Sequence, residues 1–330
     1  MNKFHHRLLL LKPYKDFVAW SKTAIIPGFG KLPLYTVATF FFQEIRRESI
    51  LNKASSLAYN FMLAIFPGVI FLFTLIPYIP VDNFQEKLLD FLQIVIPNDA
   101  FVAVKSTLED IIKNQNGGLL SIGFLLATFF ATNGMTNLMM AFNKSSLTRE
   151  NRKWLTRRVI ALMLSIAIII ALTLGIGAFT LIGVFVNYLK TNIDYDISWF
   201  WTFLLKIARW LILFLIYFFT VGIVYKYGPS KSRYWKIFSP GALLATILAI
   251  MTFSGFAFYV NNFNAYNKLY GSIGTIIIIM IWMYLNSLII LIGFELNTSV
   301  VLLKQSFKQT VKKSTNRFRN TLLTDVKKRE

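Results

Sequence analysis

The chain has no cysteine among its 330 residues, which excludes disulfides and thiolate chemistry. Histidine is nearly as scarce. His5 and His6 are the only two, so a histidine-built metal or acid–base centre lacks its parts. Acids are few as well, 15 Asp and Glu against 35 Lys and Arg. Those in the basic segments lie scattered at Asp16, Glu44, Glu48, Glu150, Asp325 and Glu330. Phosphodiester hydrolysis calls for clustered carboxylates and histidines holding metal ions, so nuclease chemistry is not expected. No Walker loop, G-x-S-x-G elbow or H-E-x-x-H is present, and no other enzymatic reading, cofactor or metal site is expected. No internal repeat is visible. The first apolar run, Leu8 to Leu11, stops at Lys12 and Pro13, too short for the core of a signal peptide.

What the chain does have is apolar mass. Hydrophobic residues make up 55% of it, 32 of them Phe, and the mean hydropathy is +0.56, more than a soluble core needs. A bilayer core of about 30 Å takes roughly 20 apolar residues per helix, and six stretches qualify: Ala54 to Ile79, Leu119 to Phe142, Val159 to Tyr188, Trp199 to Val224, Pro240 to Val260 and Ser272 to Leu303. The runs are continuous rather than alternating, so helices and not a barrel are implied. The expected fold is all-α, a polytopic membrane protein of six transmembrane helices spanning residues 54–303. Residues 1–53 precede them and a basic tail, 304–330, follows.

The linkers sort by charge. Those on one side, with both termini, hold 28 Lys and Arg; those on the other hold five. The positive-inside rule then places both termini in the cytoplasm. This asymmetry also accounts for the net charge of +20. Basic residues at that face attract anionic lipid headgroups, and no basic–aromatic interleaving of a nucleic-acid binder accompanies them. On the outer side, residues 81–116 carry six acids and apolar residues at helical spacing. They read as an amphipathic helical hairpin turning at Pro97, a lid on the outer surface or, alternatively, a gate. Before the first span, Leu34, Val37, Phe41 and Ile45 share one helix face, as an interfacial helix requires.

Polar residues inside the spans are the candidates for function, since such groups are expensive in a bilayer unless they meet each other or water. Counting about 1.5 Å per residue from the nearest basic residue puts Glu295 about 13 Å inward and Asn60 about 10 Å. Asn137 and Ser165 each lie seven residues inside a basic residue, and Asn133 shares a helix face with Asn137. The simplest arrangement is a polar cavity open to the cytoplasm, walled by the first, second and sixth spans, with Glu295 as its acid and Asn60, Asn133, Asn137, Tyr59 and Asn297 around it. Three readings of Glu295 stand. It braces helices by accepting hydrogen bonds from Asn60, Asn137 or Arg152; or it is a protonatable or cation-binding carboxylate in a transport path; or the sixth span is shorter and leaves it at the interface. Arg209 must enter the fourth span, because Trp210 to Val224 alone is too short to cross. It either snorkels outward past Lys206 or offers, with Lys206, a fork to anionic groups. It sits about 12 Å above Glu295 on the same arithmetic, too far to pair with it.

The segments "ASSLAYNFMLAIFPGVIFLF", "GPSKSRYWKIFSPGALLAT", "FYVNNFNAYNKLYGSIGTIIIIMIWMYL" and "LIGFELNTSV" resemble the signature segments of the YihY/virulence factor BrkB family, also filed as ribonuclease BN. The resemblance covers roughly Phe40 to Val301. It singles out Leu57, Ala58, Tyr59, Pro67, Pro229, Pro240, Gly241, Ala242, Tyr270, Gly271, Gly274, Trp282, Glu295, Leu296 and Asn297. Relatives usually show Gly-Ala before the Glu, whereas this chain has Gly293 and Phe294. The resemblance implies a bacterial inner-membrane protein of six helices and no established activity. Pro67 should kink the first span, Pro240 suits a first helical turn, and Gly271 with Gly274 allow tight re-entry after an outer loop. Two functions remain: a transporter or translocator of an anionic solute or lipid headgroup, and a non-transporting membrane scaffold for envelope enzymes.

Overall fold

The computed structural model describes residues 12–30, 32–47, 49–79, 83, 85–86, 88–90, 98–143, 150–192, 199–231, 235–262 and 272–327. Among the described residues there are helices and no strand. They are α1 (Lys12–Thr23), α2 (Leu34–Arg47), α3 (Ile50–Leu75), α4 (Asn98–Lys113), α5 (Gly117–Asn143), α6 (Trp154–Asn192), α7 (Trp199–Tyr227), α8 (Pro240–Asn262) and α9 (Ser272–Lys327). Six are long and apolar enough to cross a membrane: α3, α5, α6, α7, α8 and α9. Their large exposed side chains, such as Ile170, Leu172 and Ile176 on α6, suit a hydrocarbon surround.

Each spanning helix packs on the next, and α9 closes the series by packing on α3 as well as α8. The result is a ring of six. Its packing is one-sided along the helix axes. The side chains of the main core come mostly from the half of each span nearest the Lys- and Arg-rich linkers, here called the basic end: Ala54 and Leu57 on α3, Leu138 and Phe142 on α5, Ala161 on α6, Val224 and Tyr225 on α7, Ala245 on α8, and Leu291 and Phe294 on α9. α3 and α5 also stay close at the other end, where Thr74 is buried and a methyl group on Gly123 would meet the Phe71 backbone at 3.3 Å. Toward the other end the described side chains of α6 and α7 are half-buried or exposed. Pro67 lies inside α3, which continues through it, and Pro240 opens α8.

Two differences from the sequence reading stand out. The third span starts at Trp154 rather than Val159, so Arg157 and Arg158 are inside the helix and not in the linker. And α9 runs on past Lys304 to Lys327 as one helix of 56 residues, so the sixth span and the basic tail form one continuous helix.

The segment before the first span packs on protein. Val37 and Phe41 of α2 are buried, and Val37 joins Phe29, Leu32 and Val300 in a small core between α2 and α9. Lys304 Nζ donates to the Gly28 carbonyl at 2.9 Å. Gly28 has a φ of +97°, and a side chain there would run into the ring of Pro240. At the opposite end α4 packs its Ile112 with Ile76 and Leu89. The expected turn at Pro97, as well as Tyr270 and Gly271, lie outside the described residues.

The absence of cysteine allows a clean test of topology. Single cysteines at Lys231 and Lys308 should resist an impermeant thiol reagent in intact cells, while one at Glu109 should be labelled. Equal labelling at Lys231 and Glu109 would contradict a six-span arrangement with both termini inside.

Candidate functional site

The signature segments meet where α8 starts against α9. Asn297 Oδ1 accepts from the Gly241 amide at 2.8 Å, and its Nδ2 donates to Ser239 Oγ at 2.9 Å. Ser239 Oγ in turn accepts from the Ala242 amide at 3.3 Å. A helix start leaves amides without intrahelical partners, and this one is buried in protein; Asn297 of one span therefore completes the cap of another. The backbones touch beside it. A methyl group on Gly241 would collide with the Gly293 carbonyl oxygen, and one on Gly293 would come within 2.5 Å of the Tyr225 hydroxyl. That hydroxyl donates to the Ile290 carbonyl at 2.6 Å, binding α7 to the same stretch of α9.

Phe294, the residue by which this chain departs from Gly-Ala, is the hub of an aromatic layer. Its ring stacks on Phe142 of α5 with centroids 4.1 Å apart, meets Trp235 at 4.7 Å and lies edge-on to Tyr225 at 5.6 Å. Four rings from three spans and a linker thus close the basic end of the ring. Glu295 follows directly and is buried, 5% exposed. Ser299, one turn on and on the same helix face, is fully buried, and its hydroxyl has no hydrogen-bond partner among the described residues.

The remaining amides lie elsewhere. Asn133 Nδ2 donates to Asn60 Oδ1 at 3.3 Å, and Asn60 Nδ2 donates to the Ser56 carbonyl at 2.7 Å. Asn133 is nine residues from Phe142, about 13 Å along α5. The polar groups expected at one level therefore fall into two: Glu295 and Asn297 at the aromatic layer, Asn60 and Asn133 deeper. Asn137 is half-buried between them. Tyr59 is 59% exposed, across its helix from Ala54 and Phe61, and Ser165 bonds only the Ala161 carbonyl of its own helix at 2.9 Å. Gly274 is buried at the start of α9. Arg209 lies over the third span, where a methyl group on Gly183 would come within 3.4 Å of its Nη2; the side chain of Lys206 is outside the described residues.

Arg152, one of the partners considered for Glu295, is engaged with Glu150. Its Nε and Nη2 each reach a Glu150 oxygen at 2.8 Å, and Nη2 also donates to the Gly228 carbonyl at 2.6 Å. Asn143 Nδ2 donates to the same carboxylate, while its Oδ1 accepts from the Ser230 amide at 2.8 Å. Three chain segments are tied here: the end of α5, the linker 150–153, and the chain leaving α7. Burial pushes the Glu150 carboxyl up, but the Arg152 side-chain and backbone bonds and the guanidinium charge outweigh it and hold the group below the usual carboxylate value. Composition could not reveal this pair, since it depends on the turn between residues 150 and 152.

A family model described as Virulence factor BrkB matches residues 41–317. The chain is 32% identical over 250 residues to the ribonuclease-like protein YfkH of Bacillus subtilis (strain 168), covering 74% of this chain and 88% of that one. It is 27% identical over 264 residues to a UPF0761 membrane protein of Alteromonas mediterranea, covering 79% and 86%. A UPF0761 membrane protein of Vibrio campbellii is 27% identical over 270 residues, covering 79% and 81%. No solved structure matches.

Two outcomes follow from this geometry. Gly241→Ala should lower stability in detergent by about 1–3 kcal/mol, the range for overpacking, with Gly68→Ala, where a methyl group would meet nothing, close to wild type. The Glu150 contribution is present above the unfolded carboxyl value of about 4.3 and is lost as pH falls through the depressed folded value. The gap in melting temperature between wild type and Glu150→Gln should therefore be open at pH 7 and close toward pH 3; a gap that stays constant would refute the assignment.

Proposed function

This chain belongs to the virulence factor BrkB family, and from that premise we propose that it is a translocator of the bacterial cell envelope, moving an anionic solute or lipid headgroup across the inner membrane. The observation that carries the reading is the one-sided closure of the ring. Its basic half is sealed by Phe142, Tyr225, Trp235 and Phe294 and holds the buried acid Glu295, whereas the described side chains of α6 and α7 beyond that half are loosely covered. A bundle packed densely at one end, with few cross-helix contacts along α6 and α7 toward the other, is suited to the rearrangement that alternating access requires. The Gly241–Gly293 crossing suits such a change. With no side chain between the backbones, α8 and α9 can slide by small steps without unlocking interdigitated rotamers.

Glu295 is then the group that answers to a proton or cation as the basic end opens. Arg209 and Lys206, toward the other end of the fourth span, favour an anionic cargo. We read the chain as a non-enzyme, because the cytoplasmic acids are scattered and His5 and His6 are its only histidines.

One observation favours a second reading, a membrane scaffold for envelope enzymes. α9 continues as a helix to Lys327 and carries Lys and Arg along its extension, a surface suited to anionic lipid or protein.

Glu295→Gln separates the roles. The amide has the carboxylate's shape and removes only its charge. In a translocator, complementation of an envelope-stress phenotype in a deletion strain should fail while thermal stability in detergent stays near wild type. If Glu295 only braces a cation between helices, the unpaired partner should cost about 3–5 kcal/mol and stability should fall together with function. A stable variant that fully complements would remove Glu295 from both.

A further inference from the structure

Arg158 stands on the third span with its positive charge unmatched. Its guanidinium lies 5.3 Å from the Phe129 ring centroid and 5.8 Å from that of Trp154, and its one hydrogen bond is a long one, Nη2 to Asn133 Oδ1 at 3.5 Å. Among the described residues neither its Nη1 nor Nε of the neighbouring Arg157, both buried, has a hydrogen-bond partner. Among the described residues no carboxylate comes within ion-pair distance of Arg158; the ion pair described at this end, Glu150 with Arg152, leaves it out. A buried N–H without an acceptor costs about 1–3 kcal/mol, and more on a charged group, so an acceptor supplied from outside the described residues would relieve it.

We propose that Arg158 is the centre of a lateral binding site for the phosphate of an anionic membrane lipid, in the groove between α5 and α6 and floored by Asn133 and Asn60. Two observations select a lipid as the carrier of that phosphate. The rings that flank the guanidinium are open to the bilayer, Phe129 at 54% and Trp154 at 63% exposed, and so is Leu155 beside them at 66%. A ligand reaching the arginine therefore passes along apolar surface, which acyl chains cover and a free anion does not. Trp154 also opens α6 directly after the linker 150–153, so the approach to the arginine begins on the side of the basic linkers, where anionic headgroups gather. The arginine supplies a planar fork of donors suited to phosphate oxygens. Asn133 is held with its oxygen toward the arginine, because its amide nitrogen is committed to Asn60, and this steadies the fork. The proposal deepens the translocation reading by naming a lipid-borne phosphate as the group handled. It rests on that reading for its role but not for binding: a chain that holds the lipid and fails to move it keeps this site and loses that reading.

The test uses the purified full-length chain and native mass spectrometry, with phosphatidylglycerol against the uncharged digalactosyldiacylglycerol, and inorganic phosphate as competitor. The wild type should retain phosphatidylglycerol in preference to the uncharged lipid. Arg158→Gln should weaken its retention by about tenfold or more, Arg158→Lys should lose part of it because a point charge lacks the fork, and Lys153→Gln, an exposed charge one turn away, should stay within about twofold. Equal retention by wild type and Arg158→Gln, or of the two lipids by the wild type, would overturn the site. Displacement of the lipid by millimolar inorganic phosphate would overturn the lipid as the phosphate's source. Where Arg158→Gln fails to fold, the lysine variant and the wild-type preference between lipids still decide.

Discussion

The ring depends on the place where two backbones touch. At Gly241 and Gly293 the first turn of α8 lies directly on α9, and Asn297 supplies the acceptor that the start of α8 lacks. In water a helix end can leave its amides to solvent. Within a membrane each needs a partner from the protein, so the capping residue and the helix it caps must approach closely, and only glycine on both sides permits that distance. From this contact the neighbouring residues take their positions. Phe294 is set into the aromatic layer, Ile290 presents its carbonyl to Tyr225, and Glu295 is turned into protein.

The one-sided distribution of packing follows from the same geometry. Caps, the glycine crossing, the aromatic layer and the Glu150–Arg152 pair all lie at the basic end, where they hold four of the six spans, α5, α7, α8 and α9, to one another. The opposite halves of α6 and α7 have apolar side chains but few of these specific contacts. Lipid satisfies such side chains about as well as protein does, so little free energy opposes their separation. A structure of this kind is stiff at one end and compliant at the other, an asymmetry that symmetric helical packing would not produce.

Much of this was legible in the residues. The six spans follow from apolar run length, and the amphipathic helix before the first span from the spacing of Val37 and Phe41; the Pro-Gly-Ala and Gly-x-Glu-Leu-Asn segments stood out as motifs, but their contact came only with the structure. Depth was not legible, and for a physical reason. Counting inward from the nearest Lys assumes that a helix leaves the membrane at its first charge, but long cationic side chains let a helix carry that charge onward, as α9 does through Lys304. Glu295 consequently lies level with the ends of α5 and α7 rather than with Asn60. Arg158 was missed for the converse reason. A basic residue at the edge of a run looks like a topology signal, and only the start of α6 at Trp154 shows that it belongs to the span.

The length of α9 has a mechanical consequence. From Lys304, whose ammonium is pinned to the Gly28 carbonyl, the helix continues 23 residues to Lys327, or about 35 Å. It is a lever with its fulcrum at Lys304, eleven residues beyond Gly293. A tilt of about 10° there would swing the far tip by roughly 6 Å at that arm length, so a displacement too small to part the Gly241 and Gly293 backbones would be magnified into a stroke wide enough for another molecule to feel.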